Sequence, residues 1–357
     1  MIDPAGIFTA FGAVGVQGQT PTPAADAAGV VASATVAGAA ARRGSRIERR
    51  AAEAACVGVM VIWAGNFIVV KSTIPILSPI GYAFLRFAIA GLVLLALCRW
   101  REGSVTVPHA DILPLAGLGL LGFGIYQMLW STALFSTSVG NSALLIGSTP
   151  VFTALIAAAL GADTLSRGRA AGIAIAFAGV AIVAAGDGLR LDQAALGDLM
   201  TLGAAVSWAV YVSLGAGILR RFTPLRATAW TVTFGALALA PFGLVQLAAV
   251  DTSHVGPAQV AAVAYSSLLS SAVGNLVVFW GISLLGPTRV TNLQFLPPAL
   301  AIAFAAIFLG DPVLASQVVG GLVILAGILV ARRDRLLRGG RSALAAPAAP
   351  ADMSQAG

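Results

Sequence analysis

Ten runs of about twenty apolar residues constrain this chain more than any other feature: roughly 54–74, 80–100, 112–132, 138–160, 169–186, 196–217, 227–248, 259–282, 288–309 and 314–332. A helix needs ~20 apolar residues to cross ~30 Å of hydrocarbon. A closed barrel would instead show alternating segments of ~10 residues. The expected fold class is an all-α polytopic membrane protein with ten transmembrane helices. Composition agrees, since 58% of residues are hydrophobic and only 10% charged, against about 25% charged in soluble domains. A soluble enzyme, a secreted disulfide scaffold and a disordered protein are excluded. The loops carry the turn punctuation that short connections need: Ser78-Pro79, Gly186-Asp187-Gly188, Thr223-Pro224, Gly286-Pro287 and Gly310-Asp311-Pro312.

The net charge of +7 is a topology signal. With the N-terminus placed in the cytoplasm, 18 of the 21 basic residues fall on the inner side, and only Lys71 and Arg190 fall outside. Arg86 sits within a span. This split follows the positive-inside rule. It predicts a multi-pass protein of the cytoplasmic (inner) membrane with both termini cytoplasmic, and excludes nucleic acid as a partner. Residues 1–41 contain no basic residue, so the start does not read as a signal peptide. Residues 1–53 read as a disordered cytoplasmic tail rich in Ala, Gly, Pro and Thr, and 333–357 as a cytoplasmic C-terminal tail. Cys56 and Cys98 read as small core hydrophobes. No metal, cofactor or phosphate-loop motif is present in the sequence.

The chain repeats. Pro150, Asp163, Gly172 and Gly179 recur as Pro298, Asp311, Gly320 and Gly327 at a constant offset of 148. Trp63-Ala64 recurs as Trp208-Ala209 at an offset of 145, and Trp130 answers Trp280 at 150. Each copy, 54–187 and 196–332, holds five spans. Five is odd, so the second copy enters the membrane from the opposite side. Two inverted five-span repeats can rock about a site at their interface near the midplane.

The stretches Trp63-Ala-Gly-Asn-Phe with Lys71, Phe84-Leu-Arg86-Phe, Ser148-Thr-Pro150-Val-Phe-Thr-Ala-Leu and Leu309-Gly-Asp311-Pro with Gly320 and Gly327 resemble the drug/metabolite transporter superfamily. The nearest likeness is to its ten-helix EamA-type branch, over residues 54–332. The resemblance implies a compact bundle moving small organic solutes, such as metabolites, amino acids or toxic compounds, usually outward. Where that family commonly ends its fourth and ninth helices with Gly-Glu, this chain has Asp163 and Asp311.

Candidate site residues follow from polarity inside hydrocarbon, where charges are costly and default to function. Arg86 lies seven residues past Pro79, about 10 Å below the outer surface at ~1.5 Å per residue. It either draws an anionic group into an electropositive cavity or bonds helix-end carbonyls. Lys71 either joins Arg86 there or snorkels to the interface. Pro150 and the Pro297-Pro298 pair break the fourth and ninth spans and free carbonyls at Ile146, Leu293 and Gln294. Breaks at corresponding positions of two halves point to a transport site. Asn141, Thr149, Asn292 and Gln294 are the polar side chains beside them, with a structural kink as the alternative.

Trp63 and Asn66, Gln127 and Trp130, and Trp208 and Tyr211 share helical faces, and Asn275 completes the candidate set. Together they suit an amphipathic solute, or else form an interfacial aromatic belt. Small residues along Gly168, Gly172, Ala176 and Gly179, and at Gly320 and Gly327, predict a close helix contact. That contact is either internal or the seam of a homodimer. The expected partners are a small-molecule substrate and the lipid bilayer. An intramembrane enzyme acting on a lipid-linked substrate is the alternative, but His109 and His254 lie in loops and no carboxylate pair sits within a span. With every acid assigned to tails, loops or helix ends, transport driven by the substrate gradient is expected rather than proton coupling.

Overall fold

The computed structural model describes residues 45–159, 166–186, 193–286, 289–290 and 293–344. Within these the chain is helical, with no strand among the described residues. The helices are α1 (Arg46–Leu77), α2 (Pro79–Glu102), α3 (His109–Ser136), α4 (Val139–Gly147), α5 (Thr149–Ala159) and α6 (Arg167–Ala185). They continue as α7 (Gln193–Ile218), α8 (Pro224–Ala248), α9 (Pro257–Leu285), α10 (Leu296–Phe308) and α11 (Ala315–Leu344). Eight stretches, α4 and α5 counting as one, are long and apolar enough to cross a membrane. Leu296–Phe308 and Ala315–Ala331 are apolar but shorter. The shortness of α10 has a cause in the sequence, because Pro297 and Pro298 lack the N–H groups that would continue a helix back through them and are best accommodated in its first turn, where they stand. The chain is a multi-pass, all-α membrane protein.

Two expected tail boundaries move. The first helix begins at Arg46, not near residue 54, because Ser45 and Glu48 form a capping box. The Ser45 hydroxyl accepts from the Glu48 amide at 3.1 Å, and the Glu48 carboxylate accepts from the Ser45 amide at 2.7 Å. The last eight residues of the expected N-terminal tail, 46–53, are therefore helical. At the other end α11 runs to Leu344, well past residue 332. Asp163, the loop from Asp187 to Asp192 and the candidate Asn292 lie outside the described residues.

Glycine lets helix backbones touch where lipid offers no hydrophobic drive for association. Gly172 lies against Gly327, and Gly179 lies against Gly320. Numbers rise along α6 as they fall along α11, so the two helices run antiparallel. The small-residue faces are thus engaged within one chain rather than left for a dimer seam. The pattern repeats between α2 and α8, where Gly81 meets Leu247, Phe84 meets Gly243 and Gly91 meets Thr233. In the α6–α11 contact a residue of one copy meets the counterpart of its own partner, as at an isologous interface.

Each half also carries a π-helical stretch, Leu120–Ile125 in α3 and Tyr265–Val273 in α9. The offset of 150 carries the first onto 270–275, overlapping the second. Such stretches are frequent at functional sites. The widened turns leave carbonyls open to side chains: Ser207 Oγ donates to the Leu121 carbonyl at 2.7 Å, and Trp63 Nε1 donates to the Ser270 carbonyl at 3.1 Å. Both bonds join one half of the chain to the other.

Candidate functional site

The two helix breaks face each other. α4 ends at Gly147, Ser148 forms a turn, and Pro150 is the second residue of α5. Pro297 and Pro298 follow Leu296 at the start of α10. A Cβ on Gly147 would stand 2.8 Å from Pro298 Cγ, so glycine is needed where the breaks meet. Beside this junction lies a cavity of about 80 Å³, room for several waters or a small solute group at ~10–15 Å³ per water.

Arg86, on α2, dominates the cavity. It is 4% exposed, and its Nε and Nη1 have no hydrogen-bond partner. Its Cζ lies 4.6 Å from the Phe87 ring centroid and 5.7 Å from that of Trp130, close enough for cation–π attraction. Guanidinium does not lose its proton in proteins. A buried ion without a counter-charge costs several kcal/mol, so something entering the cavity must solvate it. Trp130 Nε1, Ser271 Oγ and Gln294 Nε2 also line the cavity and are likewise buried and unpartnered.

The apolar wall is aromatic. Trp63 and Trp208 meet edge to face at 6.0 Å, Tyr126 stacks on Trp130 at 6.2 Å, and Phe67 is edge-on to Trp130 at 5.1 Å. Phe87 and Phe123, 5.2 Å apart, extend the same surface. The amides are partly engaged: Asn66 Oδ1 accepts from Ser266 at 2.7 Å, Gln127 Oε1 from Ser131 at 3.3 Å, and Asn275 Nδ2 donates to the Ser271 carbonyl at 2.7 Å.

Of the residues proposed from sequence, the cavity gathers Trp63, Asn66, Arg86, Gln127, Trp130, Trp208, Asn275, Gln294, Pro297 and Pro298. Four lie elsewhere. Lys71 donates to the carbonyls of Leu134 and Thr137, at 2.7 and 2.8 Å, which caps the end of α3. Thr149 Oγ1 donates to the Ile146 carbonyl at 2.6 Å, and Ser148 Oγ to that of Leu145 at 2.6 Å. The Ile146 carbonyl, expected to be free in the fourth span, is therefore satisfied by the break's own Thr149 hydroxyl, and Pro150 lies beside the cavity rather than on its wall. Tyr211 sits one layer behind, stacked on Phe279 at 5.6 Å.

Asn141 belongs to a polar cluster at the Lys71 end of the bundle. Its Nδ2 donates to Asp198 Oδ2 at 3.3 Å, and its Oδ1 accepts from Gln317 Nε2 at 3.0 Å. Thr137 Oγ1 donates to Asp198 Oδ1 at 2.5 Å. Asp198, expected in an outer loop or helix end, is 4% exposed because α7 begins at Gln193 and packs it against the end of α3 and the start of α4. At the other end Arg221 pairs with the buried Asp111, and Arg226 Nη2 pairs with Glu102 at 2.9 Å.

The sequence reading missed Phe67, Phe87, Phe123, Tyr126, Ser270 and Ser271. Helical spacing could have found three of them, since Phe67 lies four residues after Trp63, and Phe123 and Tyr126 lie four before Gln127 and Trp130.

A polytopic helical bundle whose two halves share a broken-helix cavity, polar on one side and aromatic on the other, is the frame of a membrane transporter. The chain belongs to the EamA-like transporter family, whose pattern matches residues 50–185 and 195–333. It is a transporter of small solutes and not an enzyme. It is 30% identical to a probable terminal-alkyne amino-acid exporter of Streptantibioticus cattleyicolor, over 80% of this chain and 94% of that one. It is 28% identical to a probable amino-acid metabolite efflux pump of Salmonella typhimurium, over 76% and 91%. An uncharacterized transporter of Archaeoglobus fulgidus is 29% identical over 75% and 93%. A solved crystal structure shares the fold with a TM-score of 0.56 at 20% identity, over 80% of this chain and 99% of its own.

Proposed function

We propose that this chain exports a small organic solute (a metabolite, amino acid or toxic compound) across the cytoplasmic membrane by alternating access. The moving parts are two inverted five-span repeats, 54–187 and 196–332, making ten spans with both termini cytoplasmic. The cavity at the junction of the two helix breaks carries this reading, because both repeats contribute to its wall and each contributes a break. Antiparallel packing of α6 with α11 and of α2 with α8 supports the inversion, and the 18-to-2 split of basic residues supports the orientation. The outward direction is supported by the printed names of two relatives, one an exporter and one an efflux pump.

Substrate contacts are assigned to Trp63, Asn66, Arg86, Gln127, Trp130, Trp208, Asn275 and Gln294. The test is a growth screen of deletion and overexpressing strains against amino acids, metabolites and toxic organic compounds. The overexpressing strain should tolerate more of at least one compound and accumulate less of it. Equal accumulation in both strains for every compound would contradict export.

A further inference from the structure

We propose that the cavity selects an organic monocarboxylate with a flat apolar body and no free ammonium group, its carboxylate seated on Arg86, Trp130 and Gln294. This rests on the export reading above and names the substrate class of the same site.

Arg86 Nε and Nη1, Trp130 Nε1, Gln294 Nε2 and Ser271 Oγ are buried, unpartnered and lie on one cavity. The first four can only donate, whereas a hydroxyl can do either. A carboxylate is the complement of such a set, with two oxygens and about four lone-pair sites. Its hydrogen bonds to a guanidinium are the strong, charge-assisted kind.

An ammonium group would meet the reverse situation. No acidic residue lines the cavity among the described residues. Of the four amide oxygens on its wall, Asn66 Oδ1 and Gln127 Oε1 each already accept one hydrogen bond, from Ser266 and Ser131, and none carries a formal charge. The ammonium would also stand near Arg86, a like charge in a medium that screens it poorly. The seat is single: the repeat offsets of 145–150 carry Arg86 onto residues 231–236, none of which is ionisable. The remaining wall, with Trp63, Phe67, Phe123, Tyr126 and Trp208, offers ring faces and edges to an apolar body.

Three probes that share one ring and chain separate the groups: 3-phenylpropionate, phenylalanine and phenethylamine. Each is titrated calorimetrically into the full chain in nanodiscs. The carboxylate is expected to bind at least tenfold more tightly than the zwitterion, with no saturable binding of the amine. Arg86→Gln should weaken 3-phenylpropionate at least tenfold, and Arg86→Lys less. The wild-type ranking needs no variant, so misfolding of either does not shield the proposal. Equal or tighter binding of phenylalanine or phenethylamine overturns it, as does an absence of binding by all three. If one of those competitors exchanges across proteoliposomes and Ala143→Phe, which fills the cavity, stops it, the export site stands and only the substrate class falls. If Ala143→Phe leaves the cellular efflux phenotype intact, the export site falls too.

Discussion

Trp63 and Trp208, 145 residues apart in sequence, meet edge to face with ring centroids 6.0 Å apart on the wall of one cavity. Equivalent positions of two inverted copies touch only near the axis that relates them. On the alternating-access reading proposed above, the pair places the cavity where the two halves would move against each other. Trp63→Phe and Trp208→Phe keep an aromatic ring but weaken a ring pair worth about 0.5–1.5 kcal/mol, and Trp63→Phe also gives up the hydrogen bond to the Ser270 carbonyl. Each should raise the apparent KM for solute exchange about 2- to 10-fold. The double variant should fall short of the product of the two effects, because touching residues are not additive.

The glycine contacts predict opposite signs for one chemical change. A Cβ on Gly179 would stand 2.6 Å from the Ile324 amide nitrogen, whereas one on Gly58 meets nothing within 4 Å. Gly179→Ala should lower the thermal midpoint in detergent by forcing α6 off α11. Gly58→Ala, in the interior of α1, should raise stability by about 0.5–1 kcal/mol through helix propensity. A rise for both would show that the α6–α11 contact is looser than described.

Asp111 is 1% exposed and paired to Arg221, whose side chain is half exposed. Arg221→Ala strands a buried carboxylate, and solvent access on the arginine side limits the loss to about 1–2 kcal/mol. Adding Asp111→Asn to that variant should recover part of the loss. Thermal denaturation of the single and double variants measures both.

Much of the fold was legible because hydrocarbon imposes a simple code. Ten apolar runs, the breaks at Pro150 and Pro297-Pro298, and the paired glycines all follow from backbone and solvation physics. The π-helical stretches were not legible. Leu120–Ile125 and Tyr265–Val273 contain no proline, and their widened turns are met by Ser207 and Trp63 from the opposite half. Arg86 and Trp63 stood out because a polar or amphipathic group in an apolar run needs an explanation. Phe67 and Phe123 did not, since a phenylalanine facing lipid and one facing a cavity look alike in sequence. Lys71, Asn141 and Thr149 stood out equally, yet their polarity serves helix ends and contacts between halves. Local hydrogen-bond demand competes with solute recognition for the same residue types.

Asp198 bears directly on coupling. The sequence expectation of transport driven by the substrate gradient predicts equal flux in proteoliposomes with and without an imposed pH gradient. Uphill accumulation driven by that gradient, and lost in Asp198→Asn, would make this carboxylate the proton carrier instead.

On the export reading, an unmodified solute leaves through the Arg86 cavity. Proteoliposomes preloaded with radiolabelled 3-phenylpropionate and phenylalanine test it, using the wild-type chain and an Ala143→Phe variant that elutes as the wild type does. Ala143 lines the cavity and is 1% exposed, so the larger side chain must project into it or displace its wall. Protein-dependent release of at least one labelled compound, chemically unchanged, is expected, with release by the variant at least tenfold slower. Release no faster than from protein-free vesicles, or equal release by the two proteins, would contradict it.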